Sequence, residues 1–182
     1  MRAGAKGSRR RISAGADAPS RALLDRALRE IYEGPAWHGP SVLGALRGVS
    51  AADAARAPAA GRNSIWEIVL HLAYTRHLVM GRLEPDTRTR FPRPLRAAWW
   101  PRLPARRDAR AWREDLELLA AEQRALRDAV ARAPERVLAG RRPGRRHTRA
   151  HEVLGVAFHD AYHAGQIRLV RRLLHSATGD GG

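Results

Sequence analysis

The segment from Thr148 to His175 constrains the fold of this chain more than any other. Thr148 supplies an N-cap hydroxyl, and Val153, Leu154, Val156, Ala157 and Phe158 are followed by Ala161, Ile167, Leu169, Val170, Leu173 and Leu174. Side chains so distributed cover nearly the whole circumference of a helix, so this helix has to be central and enclosed by others. His159 and His163 lie in its middle. Positions four apart differ by about 40° and one turn, so both imidazoles can reach one ion from the same face. Spacing alone is a weak signal, because His147 and His151 form a second such pair. His151 is about 12 Å along the axis from His159 and shares no shell with it.

Three further helices are readable around this one. Ser20 caps a stripe of Leu23, Leu24, Ala27, Leu28 and Ile31 that ends at Gly34-Pro35. A short amphipathic piece follows with Val42, Leu43 and Leu46, and then a turn or two after Ser50, stopped by Pro58. Ser64 and Glu67 form a capping box that opens a second long helix through Leu83. It carries His71 two turns in, among apolar neighbours, and His77 on what the spacing leaves as the surface. Taken by itself, His71 fits a core histidine bonded to a side chain or carbonyl as well as it fits a ligand. Residues 84–107 hold five prolines and the Trp99-Trp100 pair without a sustained period, which makes them a long crossover pinned by its tryptophans. Asp108 then caps a third long helix with Trp112, Leu116, Leu119, Gln123, Leu126 and Val130 at helical spacing. His38, in the turn Trp37-His38-Gly39-Pro40, is a candidate pocket residue, although such a histidine beside a tryptophan more often only packs.

Composition excludes several chemistries. The chain has no cysteine, so disulfides, thiolate nucleophiles and iron-sulfur ligation are ruled out, and His, Asp and Glu are the strong metal ligands left. No apolar run approaches the roughly 20 residues of a membrane helix, and the first 20 residues lack the apolar centre of a signal peptide, so a cytoplasmic location is expected. The formal charge of +16 attracts anions of any kind. With Lys6 as the only lysine, and Arg and Ala recurring on ordinary exposed faces, that charge reads chiefly as compositional bias. Residues 1–19, with Arg9-Arg10-Arg11, read as a disordered basic tail, residues 20–175 as one bundle domain, and residues 176–182 as a flexible Gly-rich tail. The turn Arg141-Arg142-Pro143-Gly144-Arg145-Arg146 is the place to test first for nucleic acid or an anionic thiol.

His71 in one buried helix and His159/His163 in another could converge into a three-nitrogen shell with open positions, the catalytic type of site. A divalent ion there acts as a Lewis acid and lowers the pKa of a bound water or thiol.

Three stretches in order, Glu33-Gly34-Pro35-Ala36-Trp37-His38-Gly39-Pro40-Ser41, Ser64-Ile65-Trp66-Glu67 with His71, and His159-Asp160 with Tyr162-His163-Ala164-Gly165-Gln166-Ile167, resemble the DinB-like superfamily. The resemblance spans roughly Ser20 to His175. It implies an all-α, four-helix bundle of up-down-down-up course, in agreement with the long crossover between the second and third long helices. It also implies a divalent metal, zinc ahead of nickel or iron, held by His71, His159 and His163. Members of known activity handle low-molecular-weight thiols, as bacillithiol transferases and mycothiol-dependent isomerases. The expectation is therefore a metal-dependent thiol transferase with a small thiol and an electrophile as substrates, Gln166 placed to orient water, and Tyr162, rotated about 100° from the site, as a candidate lining residue whose alternative role is packing. The competing readings are a stress-response or binding module that meets nucleic acid through its arginine runs, and a purely structural metal. A homodimer is compatible with either.

Overall fold

The computed structural model describes residues 19–85 and 89–179 of the 182. The basic segment 1–19 lies, but for Pro19, outside the described residues, as do residues 180–182. The described residues are all-α apart from one small hairpin: α1 (Arg21–Glu33), α2 (Val42–Leu46), α3 (Ala51–Ala55), α4 (Ile65–Leu83), β1 (Leu95–Ala97), β2 (Trp100–Pro101), α5 (Ala109–Arg132), α6 (Glu135–Ala139) and α7 (Arg149–Gly179). The helix starts lie where local chemistry puts them. Ser20, Ser41, Ser50, Ser64 and Asp108 each accept a hydrogen bond from an amide in the first turn, and the capping box of Ser64 and Glu67 is complete in both directions. Gly34 ends α1 with φ +91°, a left-handed conformation that an L side chain rarely adopts.

The long helices α1, α4, α5 and α7 pack against one another in the ring α1–α7–α4–α5–α1. Cross-links fix their directions. Trp66 bonds Asp115, Arg76 bonds Gln123 and Glu84 bonds Arg132, so α4 and α5 run the same way. Asp25 bonds Arg127, whereas Arg21 reaches the carbonyl of Ala133, so α1 runs against α5. His71 meets His159, and Arg82 meets Glu152, so α7 runs against α4. Only the long connection from α4 to α5 allows two successive helices to be parallel neighbours.

From Thr89 onward that connection is more regular than its prolines suggest. β1 and β2 pair antiparallel, Leu95 with Pro101 and Ala97 with Trp100, and the hairpin packs on α4. The Arg93 guanidinium donates at 2.6 and 2.9 Å to Asp115, a fully buried carboxylate that also accepts from Trp66 Nε1 at 2.7 Å. One carboxylate thus ties the crossover to both α4 and α5. Three expectations need correction. The crossover holds a β-hairpin where no regular structure was expected, α7 continues past His175 to Gly179, and His77 is buried. His77 bridges Glu122 of α5 at 3.1 Å and the carbonyl of Thr89 at 3.0 Å, partners that its own helix does not reveal.

The core falls into two apolar halves separated by a polar layer. One half holds Trp66, Leu72, Leu119 and Ile167, the other Leu28, Val79, Leu126 and Val153. Between them Arg76, with none of its side chain exposed, donates to Gln123 at 2.8 Å, to Asp160 at 2.5 Å and to the carbonyl of Leu72 at 2.9 Å. Gln123 passes the network on to the carbonyl of Leu28, and the Arg76 guanidinium faces the Tyr32 ring. All four long helices therefore meet in a single layer, and Asp160 places it directly beside His159. Among the described residues no helix is long and apolar enough to cross a membrane.

Candidate metal centre

The structure brings His71, His159 and His163 together. Their potential ligand nitrogens all lie within 4.8 Å of one another, and among the described residues this is the one such group of His, Asp and Glu. His71 Nε2 is 2.9 Å from His159 Nε2, which is 3.0 Å from His163 Nε2. Three nitrogens bound at 2.0–2.1 Å around a tetrahedral ion lie about 3.3 Å apart, so the spacing is close to a ready shell.

The tautomers strengthen this fit. His71 Nδ1 is 2.7 Å from the Trp99 carbonyl, and His163 Nδ1 is 2.6 Å from Gln166 Oε1. Each of these nitrogens faces an oxygen acceptor and so carries the ring proton, leaving both Nε2 lone pairs bare. His159 Nε2 lies between them and has at most one proton to give. At least one of the two nitrogen contacts is then lone pair against lone pair, which a cation at the centre resolves. Two of the three rings are also oriented by an outer partner, as metal-bound histidines commonly are. The third is different: His159 Nδ1 is buried without a partner among the described residues.

The crossover hairpin supplies half of this outer layer. Trp100 stacks on His71 with centroids 4.1 Å apart and planes 11° from parallel, while Trp99 presents its carbonyl. To do so Trp99 adopts φ +72°, a left-handed conformation in a bulky residue, of the kind that costs about 1–3 kcal/mol and persists where surrounding contacts impose it. A cavity of about 430 Å³ opens over the triad, with Asn63, Trp99, Tyr162 and Gln166 completing its walls. Asn63 was not evident from the sequence; its side chain accepts from Arg96 of the hairpin at 3.1 Å.

The other sequence candidates divide. Gln166 touches the triad directly. Tyr162, a candidate lining residue despite its rotation, has its hydroxyl 2.8 Å from Gln166 Nε2 and lines the cavity, 62 % exposed. Its long side chain compensates for the 100° rotation of its Cα. His38 does not line the cavity. It is exposed beside a Trp37 that is itself 96 % exposed, so neither packs into the bundle. His147 and His151 stack on each other at 4.1 Å away from the triad.

Burial disfavours imidazolium throughout the site. It pushes His159 down to about 3, helped by the neighbouring His163 and His71, and His163 down to about 4. Burial also lowers His71, against the opposing bond to Trp99. The neutral rings that ligation requires therefore persist well into acid. The same shifts carry a cost in the metal-free protein. Unfolded imidazoles take protons near pH 6.5, whereas the folded triad resists until the lower values, so stability falls as pH drops below about 6.5. Between those values the unfolded chain holds more protons here than the folded one, so stability declines steadily with falling pH. Urea melts with chelator at pH 7, 6 and 5 should show this loss; a flat profile would contradict neutral, buried imidazoles.

Comparison with known proteins adds one finding. A family model described as DinB superfamily matches residues 36–167, which include all three histidines. No match was found among curated proteins or among solved structures.

Proposed function

We propose that this chain, which belongs to the DinB superfamily, is a metal-dependent transferase in which a three-histidine centre promotes attack by a small thiol on an electrophile. The observation that carries this reading is the convergence of bare Nε2 lone pairs on an open cavity in a chain without cysteine. A closed structural site would use a fourth protein ligand, and the described His, Asp and Glu side chains bring only three ligand atoms together here. With no thiol of its own, the chain has to take a sulfur nucleophile from solution.

His71, His159 and His163 would hold the divalent ion, for which zinc is the first candidate. Bound there, the ion would supply Lewis acidity that brings a thiol pKa toward neutrality. The remaining roles belong to the chain. Gln166 fixes the His163 tautomer through Oε1 and, through Nε2, donates to the Tyr162 oxygen. That leaves the Tyr162 proton free to point into the cavity, where it can bond an electrophile's developing negative charge or its leaving group. Trp100, stacked on His71, keeps water from one side of the ring.

The test has two parts. Protein purified without a chelating tag should contain about one equivalent of a divalent metal. Zinc-loaded protein should consume glutathione or N-acetylcysteine with an epoxide or aryl chloride, and His163→Ala should not. A metal-loaded protein inert toward every thiol, yet melting higher than its metal-free form, would make the metal structural.

A further inference from the structure

Three turns from His71 along α4, and two turns from His159 along α7, the same helix faces end in a cluster of arginines. Arg82 and Arg142 both pair with Glu152, at 3.6 and 2.8 Å, and Arg149 donates to the Arg82 carbonyl at 3.0 Å. Glu152 is the carboxylate that Arg82, Arg142 and Arg149 share, so the cluster carries several positive charges around one negative charge. Burial and the nearby Arg142 and Arg145 guanidiniums oppose the charge on Arg82, and Glu152 alone favours it.

The cluster is held in place, not gathered by chance. Arg141 and Thr148 form an antiparallel bridge, the Arg149 amide donates to the Gly140 carbonyl, and the Arg145 amide closes a turn onto the Arg142 carbonyl at 3.0 Å. Pro143 and Gly144 occupy the centre of that turn, and Gly144 has the φ of +68° that its third position requires. The turn sets Arg142 and Arg145 side by side. It does so at the start of a 31-residue helix, whose dipole also favours negative charge. Glu152 offsets only part of this positive charge, and the remainder favours a second anion.

The position of the cluster supplies the second line of argument. The Arg82 guanidinium lies 6.0 Å from the centre of the Trp99 ring, and Trp99 both walls the triad cavity and bonds His71. By helix rise, Glu152 is about 10 Å from His159 and Arg82 about 16 Å from His71 along the axes. A molecule reacting at the triad can reach the arginines across Trp99 if its acidic group is that far from its reactive end.

We propose that Arg82, Arg142 and Arg145 form an anion subsite for the carboxylate or phosphate end of the small molecule whose reactive end lies at the triad, an assignment that rests on the metal-centre reading. Arg82 would sit under the anion on the Trp99 side, and Arg142 and Arg145 would present paired donors from the turn.

The experiment titrates inorganic phosphate and, separately, succinate into full-length, cobalt-loaded protein at constant ionic strength. Affinity is read by calorimetry and proximity by ³¹P relaxation. In Arg142→Gln/Arg145→Gln the affinity should fall about tenfold or more, while Arg110→Gln/Arg113→Gln on α5 should leave it unchanged. Arg145→Gln alone, at an exposed position, serves if the double variant unfolds. Cobalt should speed ³¹P relaxation relative to zinc, as a separation of roughly 10–16 Å requires. Equal losses in both double variants would overturn the proposal in favour of bulk charge. So would an oligonucleotide that binds through the same arginines when neither small anion does, which would assign the cluster to nucleic acid. Phosphate binding without cobalt-dependent relaxation in loaded protein would break the link to the triad. Protein that binds no cobalt but keeps the variant-sensitive phosphate site would leave the anion subsite standing and remove the metal reading.

Discussion

Alanine at position 163 is expected to strip the metal from the protein while leaving the bundle folded. His163 is one of the three converging histidines that would hold the metal, and its ring is buried between His71, Trp100 and Tyr162. Binding energies of about 10–16 kcal/mol for four-ligand zinc sites suggest about 3–4 kcal/mol per ligand, so affinity should fall on the order of a hundred- to a thousandfold. Equilibrium dialysis against a zinc buffer measures this directly. Gln166→Ala is the graded comparison. It leaves all three nitrogens but frees the His163 tautomer, and a loss of about 10–100-fold is expected. The metal-free His163→Ala protein should also behave differently in acid. The folded ring is held to a pKa of about 4 against about 6.5 when unfolded, so removing it deletes one proton from the linkage. The variant's stability should decline less steeply than wild type between roughly pH 6 and 4.5. Retention of tight zinc binding by His163→Ala would place the ligands elsewhere.

How much of this was legible in the sequence follows from how local each cause is. Ser20, Ser64 and Asp108 bond amides three residues away, so every long helix with such a cap could be started correctly from its own residues. The all-round apolar character of α7 likewise announced a central helix, and His159 and His163 fell within it. His71 became more than a core histidine only through a second helix 88 residues distant, which its spacing alone does not disclose. The crossover was harder. Trp99 acts through its carbonyl and a positive φ, neither of which side-chain patterning records. His77 was misplaced for a related reason: angular position on a helix fixes the Cα, whereas partners from α5 and the crossover determine where the polar atoms end up. Asp115 illustrates the same limit, reading as one acid on a charged face until Trp66 and Arg93 surround it.

Arg76 was the least legible residue of all, and its removal is expected to have the largest effect on stability. Within the sequence it looks like the polar side of α4. In the fold it donates to three helical elements at once and lies with Asp160 at zero exposure, between the two apolar halves of the core. Replacing it by leucine removes a charge that is costly to bury but strands another. Burial already holds the Asp160 carboxyl up at about 6 despite the opposing guanidinium, and Asp160 Oδ1 lacks a bonding partner among the described residues even now. Breaking a buried pair from one side typically costs about 3–5 kcal/mol. For a chain of this size that is a fall of roughly 6–20 °C in Tm, measurable by calorimetry on the metal-free protein. Arg76→Leu combined with Asp160→Leu should recover much of the loss, because apolar replacement of both partners avoids the stranded charge. A simple sum of the two single losses would show instead that each residue acts through its other bonds, Arg76 through Gln123 and Asp160 through its neighbour His159. Zinc affinity separates the two roles. If the polar layer positions His159, the double variant should regain stability yet bind zinc more weakly than wild type, since the helix register that aligns the triad would no longer be specified by bonds across all four helices.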